Sequence, residues 1–241
     1  MKLAFITDMH IPTEEKTARG VDTKKNLSLV LEDLEKQEIQ HIVIGGDISF
    51  SKPETEANKY LKRSLDRLQI PYFVIPGNHD DSNQLKHFFT YPEGLDELYY
   101  FKQIDDFSFI CLDSSSGKLS KNQLKWLEYE LEENSAVNTI FIHHPIVKSD
   151  ALFMDENHAL TNMQEIQNIL FGLKRNFIIF SGHYHLEKTI VCRNIIQHIT
   201  PSLFIQIDQN SSTFKIDHTI PGYRIIKIRE DCILSYVRYI V

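Results

Sequence analysis

Six of the 11 histidines in this 241-residue chain fall in four short segments: His10, His79, His143-His144, and His183 with His185. Carboxylates and an amide stand beside them, in the order Asp8-Met9-His10, Gly46-Asp47, Gly77-Asn78-His79-Asp80, His143-His144-Pro145 and Gly182-His183-Tyr184-His185. Imidazole, carboxylate and amide donors suit Mn²⁺, iron or Zn²⁺ better than a thiolate-loving ion, and no cysteine lies near these segments. Each segment alone is a weak signal. An Asp and a His after a strand more often cap a helix or turn the chain, and Gly-Asp is a common turn dipeptide. Gly-Asn-His-Asp says more, because a turn rarely needs all three polar residues. Gly-His-x-His says most, since histidines at i and i+2 of an extended chain point the same way. Four of only nine glycines (Gly45, Gly46, Gly77 and Gly182) lie in or beside these segments, where positive φ or close backbone approach is needed.

The elements that must position these residues follow from hydrophobic periodicity. Residues 2–6, 41–44, 72–75, 107–112, 139–142 and 177–180 read as short apolar strands, and every polar segment follows one of the strands at its carboxyl end. A helix is expected from about Asp22 to Gln37, with Leu27, Val30, Leu31 and Leu34 on one face. Pro53 can open a second helix, with Ala57, Tyr60, Leu61, Leu65 and Leu68 inward. Ser120 and Gln123 form a capping box for a third, carrying Leu124, Leu127 and Leu131. Thr161 and Gln164 could cap a fourth, with Ile166, Ile169, Leu170 and Leu173 inward. From about residue 188 the chain reads as all β, with runs near 189–192, 203–207, 213–217, 223–228 and 233–240. Strands alternating with helices predict a largely parallel core with ligands at the carboxyl edge, and the β-rich tail predicts a second sheet packed on the first. With no linker, repeat or low-complexity tract, residues 1–241 read as one domain.

Composition narrows the partners. The chain is 42% hydrophobic and 24% charged, which fits a globular protein and excludes wholesale disorder. Its net charge is −7 and its 26 lysines and arginines are scattered, so a nucleic-acid surface is not expected. An anionic substrate must then find its counter-charge in something other than side chains. No apolar run approaches a membrane span, and the first residues leave no room for a secretory h-region. Cys111, Cys192 and Cys232 are odd in number and far apart, which points to free thiols in a reducing cytoplasm.

Taken together, D-x-H, G-D, G-N-H-D, H-H-P and G-H-x-H, all at strand ends, resemble the calcineurin-like metallophosphoesterase superfamily in motif and in order, over about residues 3 to 185. The resemblance implies an α/β fold of two packed mixed β-sheets flanked by helices, a four-layer αββα sandwich. The metal motifs would lie within 8–185 and the β-rich part at about 188–241. It implies a dinuclear centre in which Asp8, His10 and His185 hold one ion, Asn78, His143 and His183 the other, and Asp47 bridges both. The ions would be Mn²⁺ and/or iron, with Zn²⁺ the other candidate, leaving the pocket about +2 by charge counting. A water bridging the ions would attack phosphorus in line. His79 is similar to the family's non-ligand histidine, which contacts the phosphate and protonates the leaving oxygen. Asp47 and Asn78 join it in the catalytic set, and substrate would lie against His10, Asn78, His79 and His185. Asp80 would orient His79 or support the ligands from behind, and His144 would do the latter. His41, His87, His198 and His218 read as ordinary histidines.

A narrower resemblance lies outside the metal motifs. Asp22-Thr23, Leu112-Asp113-Ser114, Leu119 through Trp126-Leu127-Glu128, the stretch with Asp155, His158, Leu160 and Asn162, Thr200-Pro201-Ser202, then Phe214, Asp217 and Pro221-Gly222-Tyr223-Arg224 resemble class III cyclic-nucleotide phosphodiesterases. This implies hydrolysis of a small phosphodiester, with 3',5'-cyclic AMP the leading substrate. The alternatives are a glycerophosphodiesterase, a nucleotide-sugar pyrophosphatase, or a non-catalytic protein-binding module on the same scaffold. Such a module is expected to lose ligands, whereas Asp47, Asn78 and His79 are intact. No membrane or nucleic-acid partner is expected, and a homodimer is compatible with the sequence.

Overall fold

Along Leu3-Ala4-Phe5-Ile6 every side chain is buried, yet alternate residues enter different cores. That is the mark of a strand covered on both faces, and it explains why the central strands read as unbroken apolar runs. The computed structural model describes residues 1–13 and 17–241. In chain order the elements are β1 (Lys2–Ile6), α1 (Thr23–Lys36), β2 (His41–Ile44), α2 (Thr55–Asp66), β3 (Tyr72–Val74), α3 (Ser82–Phe88), β4 (Tyr100–Ile104), β5 (Phe107–Cys111), α4 (Lys121–Glu133), β6 (Thr139–Phe141), α5 (Leu152–Asn157), α6 (Met163–Phe171) and β7 (Phe177–Ser181). The remainder is β8 (Lys188–Cys192), β9 (Ile195–Ile199), β10 (Gln206–Ile207), β11 (Ile216–His218), β12 (Gly222–Ile228) and β13 (Ile233–Tyr239).

One sheet has the order β13-β12-β1-β2-β3 and the other β4-β5-β6-β7-β9-β8, with β10 and β11 paired as a separate short ribbon. Strands β1, β2 and β3 run parallel, as do β5, β6, β7 and β9, while β12, β13, β4 and β8 pair antiparallel to their neighbours. Leu3, Phe5, Val43 and Phe73 of the first sheet meet Phe109, Phe141 and Phe180 of the second in one core. Phe141 sits at its centre, with ring centroids 5.7 Å from Phe5 and 5.7 Å from Phe73. The outer face of the first sheet carries α1 and α2 through Leu27, Val30, Leu34, Leu61 and Leu65. That of the second carries α4 and α6 through Leu127, Leu131, Ile166 and Leu170. The result is the expected four-layer αββα sandwich of two mixed sheets.

Several local expectations are corrected. The β-rich tail is not a sheet of its own: β12 and β13 extend the first sheet beside β1, β8 and β9 extend the second beside β7, and the second sheet already begins at β4. Helix α2 starts at Thr55, because Glu54 is extended and serves as its cap residue, leaving Pro53 outside. Ser120 caps α4 by accepting from the Gln123 amide N–H, but the reciprocal arm is missing: the Gln123 side chain instead binds the backbone N–H and C=O of Asp113. Helix α6 has no side-chain cap; Thr161 donates to Gly117 O, and the Asn162 amide is engaged with the backbone of Leu119.

Candidate metal centre

The polar segments leave β1, β2, β3, β6 and β7 at their carboxyl ends, so residues from both sheets meet along one edge of the sandwich. To turn there, Asp8 (φ 55°), His10 (φ 45°), Asp47 (φ 51°), His183 (φ 63°) and His185 (φ 50°) all adopt left-handed backbone. Such conformations cost of order 1–3 kcal/mol each and persist only where the surroundings over-determine them. Here the loops hold one another. The Asp8 N–H donates to Gly46 O, His10 N–H to Asp47 O, and Gly182 N–H to His143 O, each at 3.0 Å. Ser202 Oγ donates to Asp8 O at 2.8 Å. Two glycines permit this closeness: Gly46 has φ +94°, and a Cβ on Gly182 would collide with the side chains of Thr7 and Asp8. The His183–His185 pair therefore does not lie on an extended strand. The positive φ at both residues sends the two rings to different neighbours.

His185 joins Asp8 and His10, and His183 joins Asp47 and His143, each a group of donor atoms within 4.8 Å of one another. Asp47 Oδ2 is the common point, 3.4 Å from His143 Nε2, 3.7 Å from His10 Nε2 and 3.8 Å from His79 Nε2. Its other oxygen is fixed by the His79 backbone N–H at 2.8 Å. Asp8 is held in the same way: Oδ2 accepts from Thr7 Oγ1 (2.7 Å) and from His183 N–H (2.9 Å), while Oδ1 is buried without a hydrogen bond.

The histidines repeat one device. His10 Nδ1 lies 3.1 Å from Phe50 O, His143 Nδ1 2.7 Å from Gly45 O, His185 Nδ1 3.1 Å from Ile205 O, and His183 Nε2 3.0 Å from His158 O. A carbonyl can only accept, so in each neutral ring that nitrogen carries the proton and the other presents a lone pair. Lone pairs then face carboxylate oxygens and each other: His185 Nε2 is 3.1 Å from Asp8 Oδ1 and 3.1 Å from His10 Nε2. His143 Nε2, like Asp8 Oδ1, is buried with no hydrogen-bond partner. Buried acceptors gathered without donors are costly unless a cation sits among them, so this donor set fits divalent ions.

The electrostatics agree at Asp8, Asp47, His10 and His183, and differ at His143. Burial alone would raise the carboxyls of Asp8 and Asp47, but His185 beside Asp8 and His143 beside Asp47 hold both well below the usual range, keeping both anionic. Burial pulls His10 down to about 4 and His183 to about 3, leaving neutral imidazoles. Burial acts the same way on His143, but the charges of Asp47 and Asp8 outweigh it and lift this ring to about 9, so at neutral pH it carries a second proton that a cation bound at Nε2 would displace. Asp80 is pushed up to about 7 by burial and by the Asp47 charge.

Four expected residues lie outside those two donor groups, of which His79 forms a third group with His10 and Asp47. Asp80 accepts from Ile48 N–H (3.0 Å) and Gly77 N–H (2.9 Å), tying the β2 and β3 loops together rather than touching the His79 ring. His144 Nδ1 lies 2.9 Å from Ser114 Oγ, and its ring centroid is 4.0 Å from that of His183. Asn78 is exposed and lines the open side of the cluster with His79. Above them is a cavity of about 430 Å³ whose walls carry Arg19, Phe50, Phe153, Phe204 and Phe214. Sequence reasoning passed over the first four, since an isolated Phe reads as core and an isolated Arg as solvated surface. The polar residues behind the ligands, Thr7 and Ser202, carry no periodicity signal either, although Ser202 belongs to the Thr200-Pro201-Ser202 segment.

Comparison with known proteins gives the following. Residues 1–187 match the family described as Calcineurin-like phosphoesterase. The chain is 30% identical over 233 residues to a protein of Fibrobacter succinogenes named "Probable cyclic nucleotide phosphodiesterase", covering 96% of this chain and 91% of that one. It is 31% identical over 209 residues to one of Arcobacter nitrofigilis named "Probable glycerophosphodiester phosphodiesterase", covering 81% and 76%. Among solved structures it resembles a dimetal phosphatase from Danio rerio, with a TM-score of 0.74 at 14% identity over 99% of this chain and 96% of the other.

Proposed function

Because the chain belongs to the calcineurin-like phosphoesterase family, we propose that it is a dinuclear metal-dependent phosphodiesterase whose leading substrate is 3',5'-cyclic AMP, opened to AMP. The observation that supports this best is the set of four imidazoles, each committed to a backbone carbonyl at one nitrogen, whose free nitrogens converge with Asp8 and Asp47 on two adjoining donor groups. Asp8, His10 and His185 would hold one ion, Asn78, His143 and His183 the other, and Asp47 both. Bound there, Mn²⁺ or iron supplies Lewis acidity towards phosphate oxygens and acidifies water near neutral pH. It also gives an acidic protein the positive pocket that an anionic ester requires.

The remaining chemistry falls to side chains. Hydrolysis breaks one P–O bond, places a water oxygen on phosphorus and delivers a proton to the leaving oxygen. His79 supplies that proton: its side chain is 29% exposed towards the cavity, and its own backbone N–H anchors it to Asp47. The Asn78 amide lies beside it on the open side and orients the phosphate. Asp80 and His144 hold the loops from behind, through Ile48, Gly77 and Ser114. The donor residues run from Asp8 to His185, so the chain works as one unit. Among the described residues no helix is long and apolar enough to cross a membrane. The scattered cysteines favour a cytoplasmic setting, and the acidic charge favours a small molecule over nucleic acid.

A phosphoester panel with the Mn²⁺-loaded protein tests this reading. Cyclic AMP and bis-(p-nitrophenyl) phosphate should turn over much faster than p-nitrophenyl phosphate. A strong preference for the monoester would overturn the diester assignment, and no turnover of any ester would favour a binding module.

A further inference from the structure

The cavity over the cluster has a floor of His and Asp side chains and mostly apolar walls, interrupted by Arg19 and Ser51. One wall is made by Phe153, at the start of α5, and Phe214, on the loop between β10 and β11; their ring centroids are 5.9 Å apart. Phe214 is 41% exposed, and it lines the cavity rather than a core. The loop that carries it is built to hold it still. Asp208 N–H donates to Lys215 O (2.9 Å) and the two side chains pair at 2.7 Å across the loop, while Ser211 Oγ donates to Thr213 O at 2.7 Å. The same loop is clamped to α5: Leu152 N–H donates to Gln209 O at 3.0 Å and Phe153 N–H to Ser211 O at 3.1 Å. Those bonds satisfy N–H groups that a short helix leaves open, and they set Phe153 edge to face against Phe214, with the ring planes 66° apart. From the loop before α1, the Arg19 guanidinium lies 5.3 Å from the centroid of the Phe214 ring, a cation–π contact that restrains the ring further. A second aromatic pair, Phe50 and Phe204, stands near His10.

A site that served only a compact, hydrophilic diester would have no use for a restrained, solvent-facing phenylalanine at its rim. We propose that the Phe214 ring, braced by Phe153 and Arg19, seats the planar base of a nucleotide diester whose phosphate lies on the His/Asp floor. It thereby selects nucleotides over small polyol diesters. The proposal rests on the phosphodiesterase reading and adds the specificity-determining residues to it. Stacking on a π-face is tolerant of base identity, so the seat should favour nucleotides as a class.

The test is Phe214→Ala, a change at an exposed loop position, with Phe214→Trp as the conservative variant. Removing one stacking partner is expected to raise KM for cyclic AMP about tenfold or more. The change should be at least tenfold larger than for glycerophosphoethanolamine and should lie in KM more than in kcat, with metal content equal to wild type. Phe214→Trp should restore the nucleotide preference. Equal changes for both diesters, or no change for either, would overturn the proposal while leaving the phosphodiesterase reading intact. Should the wild-type protein hydrolyse no diester, the functional reading fails, and calorimetric binding of AMP against glycerol 3-phosphate to wild type and Phe214→Ala still decides the seat. Weaker AMP binding in the variant supports it, and identical binding overturns it.

Discussion

At the floor of the cavity Asp8, Asp47 and His143 are buried, and hydrogen bonds from both sheets lock the backbone around them. At the rim Phe214 is exposed, Phe50 and Phe153 are half-buried, and the supporting elements are loops and one short helix. The two regions are neighbours yet they are built differently. At the floor, left-handed backbone is imposed on residues that would not choose it, and strain of that kind is sustained only by a rigid frame. At the rim, surface loops carry side chains that can be exchanged without disturbing the sandwich. The difference separates the ability to cleave a phosphodiester from the choice of which one, which is why one scaffold can serve several substrates. Floor variants should therefore act on metal content and kcat for every substrate, and rim variants on KM for some.

Chelation should give the largest effect. It should abolish turnover of all diesters and also lower stability, because ions that bind only the folded state add about 3 kcal/mol at a hundredfold excess over Kd. For a chain of this size that is roughly 6–12 °C in Tm. The rim takes no part, so Phe214→Ala should show the same shift. A chelated protein melting with the loaded one would remove the ions from the floor.

Next comes His79→Ala, expected to lower kcat by about 10²–10⁴ with both ions retained. The loss should be far greater for cyclic AMP, whose leaving ribose hydroxyl needs a proton, than for bis-(p-nitrophenyl) phosphate, whose leaving phenolate does not. An equal fall for both, with reduced stability, would make His79 a packing residue.

Ser202 joins the two regions. Its Oγ donates to Asp8 O and accepts from the N–H of Phe204, both at 2.8 Å. Ser202→Ala should weaken Mn²⁺ binding by about 10–100-fold, as loss of a group that orients a ligand does, and should also raise KM for cyclic AMP. Titration of metal binding with the kinetics on one sample checks both. A change in KM alone would uncouple floor from rim.

The division between floor and rim also marks what could be read from the chain. Asp47 or His183 cannot be exchanged for another residue type without changing the chemistry, so motif and spacing exposed the candidate ligands. The rim shows no such constraint: Phe153 and Phe204 resemble any core phenylalanine until the fold sets them over the cluster. Helices α3 and α5, of 7 and 6 residues, are too short for a helical period to register. In β4, Tyr100-Phe101-Lys102-Gln103-Ile104 mixes apolar and polar residues without strict alternation, so no strand was expected. The division of the tail between two sheets is a matter of pairing between distant strands, such as Leu3 with Ile226, which no local pattern specifies.

The smallest effect concerns the scaffold that floor and rim share. His198 on β9 stacks on Phe180 with centroids 5.3 Å apart, and burial, helped by the Arg224 charge, pulls its ring down to about 4. The unfolded ring titrates near 6.5. Below that pH the unfolded chain binds the extra proton first, so the stability His198 contributes above pH 6.5 is lost as pH falls towards 4. His198→Gln should flatten the pH dependence of Tm in that window by a few degrees, with or without metal. An unaltered slope would assign the acid sensitivity to other groups.

Metal analysis of folded Asp47→Ala beside wild type, after equal loading with Mn²⁺ and dialysis, tests the central claim most directly. Asp47 Oδ2 is the point where the two donor groups meet. Wild type should retain two ions per chain and the variant neither, because no other residue serves both positions. A variant that keeps both ions would contradict the bridging role of Asp47 and with it the dinuclear centre described above.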